Sequence, residues 1–166
     1  MEGFAILSAY PMLTLPHTLI AVALVKLFLP YPWLVLPLAL LSHFIFDFFV
    51  PHWNPHLYTE FKKKGKISPS SWMVIFLDSG LALIFCLYIL LSYWPNLSAI
   101  AVFGGAIFLS VLPDIIEIPY YFMGYKAGWL KAYVNFEHKH QSNGSFFWGI
   151  ATQLITIAIC LLIFFS

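Results

Sequence analysis

From Trp72 to Trp94 the chain runs through apolar sequence with one charged residue, Asp78, and comparable runs occupy 34–50, 97–122 and 146–165. A stretch of roughly 18 or more mostly apolar residues reads as a membrane-crossing helix, because a helix satisfies its own backbone groups where no water can. Four such runs in 166 residues, of which 61% are hydrophobic and 9% charged, leave little sequence for anything else. The expectation is an all-α, polytopic membrane helix bundle of four or five transmembrane helices, forming a single integral membrane domain over residues 1–166.

The fifth span is the first apolar segment. Pro11 and Pro16 interrupt it, and the part from Pro16 to Leu29 would be only about 20 Å long at the helical rise per residue. It reads as a short or kinked helix, with Pro16 suited to a first turn. Glu2 stands where a signal peptide would carry basic residues, so this segment is expected to stay in the protein. Cys86 and Cys160 fall inside apolar runs and imply no disulfide framework. A net charge of +1 and the absence of arginine argue against a nucleic-acid partner.

Two polar segments, 51–71 and 124–145, hold seven of the eight lysines and read as loops. The helices at 72–94 and 97–122 cross out and back between them, so both segments emerge on one side. Lysine enrichment assigns that side to the cytoplasm, which would make this a multi-pass membrane protein. Ser68, Ser70 and Ser71 read as helix-start residues, and Gly104 and Gly105 as places where helices approach closely.

Helical rise then locates the ionisable residues by depth. Counted from Tyr31, His43 lies roughly 18 Å and Asp47 roughly 24 Å along the helix, both toward the cytoplasmic edge of a ~30 Å core. Asp78 lies about 10 Å in from that edge, and Asp114 and Glu117 come back to it at the far end of their helix. His52, His56, His138 and His140 sit in the two cytoplasmic segments, and His17 joins the same layer if its helix begins inside. Carboxylates within a membrane cost several kcal/mol each, so their gathering in one layer marks a functional site.

His43 and Asp47 are four residues apart, and Asp114 and Glu117 three apart, so each pair shares a helix face and can close on a common ion. Imidazole combined with carboxylate suits zinc or another borderline divalent ion better than calcium, which takes oxygen alone.

Four short motifs carry a resemblance: LPH at 15–17, SHFIFD at 42–47, LPDIIE at 112–117 and EHKHQS at 137–142. They resemble the motifs of membrane-bound metal-dependent hydrolases, the LexA-binding, inner-membrane-associated family, with the Leu-Pro-Asp element here following the Ser-His-x-x-x-Asp helix. That family is distantly similar to zinc-dependent phospholipase C, whose His-x-x-x-Asp element with a closely following histidine looks like His43, Asp47 and His52. The resemblance implies one or more divalent metal ions, zinc by preference. Their implied ligands are His17, His43, Asp47, His52, Asp114 and one or both of His138 and His140.

The resulting expectation is hydrolysis of a phosphoester, in a lipid headgroup of the cytoplasmic leaflet, with membrane lipid as partner and substrate. Glu117 or Asp78 would take a proton from the attacking water. Lysines 62 to 64, 66, 126, 131 and 139 would draw anionic headgroups, each contributing on the order of 1 kcal/mol. The alternatives are a cation or proton transporter or channel using the same cluster as its ion site, and a membrane scaffold with a structural metal.

Overall fold

The structure, a computed structural model, describes residues 12–55, 57–142 and 144–166. Among these residues there are seven helices and no strand: α1 (Thr14–Phe28), α2 (Pro32–Phe49), α3 (Leu57–Lys64), α4 (Pro69–Ser92), α5 (Leu97–Phe122), α6 (Gly128–His140) and α7 (Phe146–Phe165). Four of them, α2, α4, α5 and α7, are long and apolar enough to cross a membrane. Pro11, expected to interrupt the first segment, and His56, expected in the cytoplasmic layer, lie outside the described residues.

α1 is the axis of the bundle. Every residue from Pro16 to Ala23 is buried, so no face of this stretch is given to the surroundings, and α1 packs against α2, α4, α5 and α7 at once. Pro16 sits in its first turn, where a missing N–H costs no helical hydrogen bond. At 15 residues it is about 22 Å long, shorter than the helices around it.

Between apolar helices in an apolar medium there is no solvent-driven force to exploit, so close van der Waals fit carries the association. One buried cluster joins Ala21, Val22 and Val25 of α1 to Val35 and Ala39 of α2, Ile89 of α4 and Phe103 and Ala106 of α5. A second packs Leu19, Ile20 and Ala23 of α1 on Cys160 of α7. Alanines at these crossings let the backbones approach, while outward residues such as Leu83, Ile84, Leu154 and Leu162 remain exposed, as lipid-facing side chains do.

The segments expected as loops each contain a helix. α6 forms because Leu130, Val134 and Glu137 recur at helical spacing and are buried along one face. α3 is short and lysine-rich, and its Glu60 accepts hydrogen bonds from the backbone N–H and the hydroxyl of Ser68, both at 2.9 Å. Ser68 in turn caps α4, accepting from the Ser71 N–H, and Asn96 caps α5 by accepting from Ala99 N–H.

Candidate metal centre

The inward stripe of α2 is Val35, Ala39, His43 and Asp47, each four residues from the last, so the polar pair continues the line of the core. On α5 the buried stripe is Phe103, Ala106, Ser110, Pro113 and Glu117, with Asp114 beside it. α1 brings His17 between them from its first turns. Three helices therefore deliver imidazoles and carboxylates to one point at the lysine-rich end of the bundle.

The contacts there are close. His17 Nε2 lies 3.1 Å from Asp47 Oδ1, and the rings of His17 and His43 stack at 4.2 Å between centroids. His43 Nε2 is 3.7 Å from Asp47 Oδ2 and 4.0 Å from Asp114 Oδ1. His43 Nδ1 is 2.8 Å from the Ser110 carbonyl, which can only accept, so the neutral ring carries its proton on Nδ1 and presents Nε2 as a lone pair. That is the orientation metal-ligating histidines commonly take.

The second shared group comes from α6. One ligand atom each from His43, Asp47 and Glu137 lie within 4.8 Å of one another, as do one each from His17, His43 and Asp114. His43 belongs to both sets. Asp47 Oδ2, Asp114 Oδ2 and Glu137 Oε2 are buried and have no hydrogen-bond partner among the described residues. Buried carboxylate oxygens are ordinarily paired, and leaving them bare costs several kcal/mol, so this donor set fits a divalent cation.

Glu137 lies outside the membrane-spanning helices. Burial pushes its carboxyl up to about 7, against the lowering effect of the Tyr133 hydroxyl, which donates to Oε1 at 2.6 Å. Motif and depth do not single out Glu137, although the spacing of Leu130, Val134 and Glu137 places it on the buried face once 128–140 forms a helix.

His52 is buried and within electrostatic range of His43 and Asp47, but it is in neither three-residue set. Its ring donates from Nδ1 to the Val50 carbonyl at 2.8 Å. The chain carrying it is laced to the start of α7: Gly144 N–H donates to His52 O, Thr152 Oγ1 to Pro51 O, and Gln153 Nε2 to Trp53 O. Gly149 makes this approach possible, since a Cβ there would lie 2.5 Å from Trp53 N.

The two histidines of α6 are placed elsewhere. His138 stacks on Tyr58 at 3.7 Å, and His140 is exposed, packed on Phe136 and Phe48 with Nδ1 donating to Phe136 O. Neither belongs to a three-residue ligand set among the described residues.

Asp78 accepts from the N–H groups of Thr14 at 2.6 Å and Leu15 at 3.1 Å, so it caps α1 from another helix. Asp47 Oδ1 takes the Met12 N–H at 3.1 Å, and the Gln153 side-chain oxygen takes that of Leu13. Glu117, 7% exposed, borders a cavity of about 500 Å³ together with Asp78 and Asp114. No protein-family model, no curated protein and no solved structure matches the chain.

Proposed function

We propose that the protein is a membrane-embedded, metal-dependent hydrolase of a phosphoester, acting on a lipid headgroup at the cytoplasmic leaflet of the inner membrane. The single observation that carries this reading is the pair of ligand sets sharing His43, with buried carboxylate oxygens bare of hydrogen bonds. The motif resemblance supplies the phosphoester, and the lysines of α3 and α6 supply the preference for an anionic group beside the site.

A bound divalent ion would contribute Lewis acidity and a water of lowered pKa. His43 is held for ligation by the Ser110 carbonyl, and Asp47 is oriented by His17 and the Met12 N–H. Glu117 is the group disposed to accept the proton of the attacking water, because it borders the cavity beside Asp114. Asp78, with both oxygens engaged by α1, is the less available of the two carboxylates proposed for that role.

Elemental analysis of the purified protein, followed by assays on phospholipids and a water-soluble phosphodiester, tests the reading. Bound zinc or a similar ion, together with turnover that His43→Ala abolishes, is the expected result. Divalent-ion uptake into sealed vesicles with no ester turnover would instead make the cluster an ion path.

A further inference from the structure

The cavity beside the centre has a shape that the ligand cluster does not explain. α4 and α5 touch at the lysine-rich end, where the Trp72 and Phe122 rings lie 4.6 Å apart. They touch again at the other end, where Tyr93 meets Phe103 at 4.5 Å. In the lysine-rich half, residues 72–79 of α4 and 111–122 of α5, together with 12–14 and residues 54, 55 and 57, surround about 500 Å³, a volume typical of sites for small molecules.

The depth of the opening decides what can reach it. Of its lining residues, Ser79, Ile115 and Ile118 are exposed. Ser79 is about 15 Å along α4 from its start, and Ile115 is about 10 Å short of the end of α5. At that level the cavity wall meets hydrocarbon, and the lining continues through Trp72 and Phe122 to Asn54, Pro55 and Leu57 at the lysine-rich end, where headgroups lie. The walls are mostly apolar, with Leu13, Ile75 and Val111 among them, and three acids, Asp78, Asp114 and Glu117, also line the cavity. Asp114 borders both the cavity and the ligand cluster.

We infer that this cavity is a lateral site for one acyl chain of a phospholipid, admitted from the bilayer between α4 and α5. The seated chain leads the polar end of its lipid toward Asp114. The inference rests on the hydrolase reading only for what then happens to the lipid; the binding itself requires no metal.

The test uses the full chain in nanodiscs with phosphatidylethanolamine carrying a photoreactive diazirine in one acyl chain, and maps the labelled residues by mass spectrometry. Labelling concentrated in 75–79 and 111–118 is expected, falling roughly tenfold in Ser79→Trp and in Ile118→Trp, which fill the cavity from opposite walls. Leu83→Trp, on the outward face of α4, should leave the pattern unchanged. Labelling spread over the outer faces of α4 and α7, and indifferent to both cavity variants, overturns the site.

The same preparations, loaded with zinc, separate this inference from the reading beneath it. The cavity variants should lose turnover of chain-bearing phospholipid and keep that of a water-soluble phosphodiester. If the wild type turns over neither while the labelling pattern holds, the hydrolase reading falls and the lipid site stands. If it turns over both and the variants affect neither, the lipid site falls alone.

Discussion

His43 is the residue on which both ligand sets depend, because its Nδ1 is tied to Ser110 and its Nε2 faces two carboxylates. His43→Ala should lower metal affinity by more than the roughly 10- to 100-fold typical of losing a supporting group, read as metal retained per chain after dialysis. Gly149 matters for a different reason. A methyl group there would meet the backbone of Trp53 and His52 at 2.5–2.6 Å, and backbone cannot swing aside as a side chain can. Gly149→Ala should therefore cost about 1–3 kcal/mol, measured by thermal unfolding in detergent, and should displace His52.

At the scale of the element, the first turn of α1 is a junction. The N–H groups of Met12 and Leu13 just before it are taken by Asp47 and Gln153, and those of Thr14 and Leu15 by Asp78, three side chains from three other helices. Replacing a capping carboxylate typically costs about 0.5–2 kcal/mol, so Asp78→Ala should lower the unfolding midpoint and loosen the hold on His17, with reduced metal affinity as the second readout. The α3–α4 connection is held by Glu60. Burial alone would raise its pKa, but the N–H and hydroxyl of Ser68 outweigh that and hold the carboxyl below its usual range. Because its pKa is depressed when folded, this clamp is fully present above about pH 4.3 and is lost as pH falls through the lower folded value. Hydrogen exchange at the Ser68 amide should accelerate across that acid range beyond its intrinsic pH dependence, and Glu60→Gln should remove the excess.

For the whole molecule, the proposed centre draws its groups from α1, α2, α5 and α6, so an ion bound there would join four helices. A divalent ion that binds the folded chain alone should stabilise it by about 2.7 kcal/mol at a hundredfold excess over the dissociation constant, with EDTA reversing the gain. An unfolding midpoint indifferent to zinc and to chelation would mean that the cluster holds no ion in the folded protein.

Much of this architecture is legible in the order of residues, because a membrane-length apolar helix is a local property. Hydropathy marks the four long helices, serine at 68 marks the start of α4, and the i, i+4 spacing of His43 and Asp47 sets them on one face of α2 before any neighbour is known. The short apolar segment at 14–28 was legible as a helix, but not as the buried axis, since burial on all sides depends on partners far away in sequence. The helices α3 and α6 were hidden for a related reason. Their polar, lysine-rich composition resembles a loop until one face is seen to pack, and only that packing turns Glu137 inward while His138 meets Tyr58 and His140 meets Phe48 and Phe136. Depth along the membrane follows from counting residues, so the layer of histidines and acids could be read directly. Which of them touch is a matter of helix rotation and crossing, and those are decided by side-chain fit between segments that the chain order keeps apart.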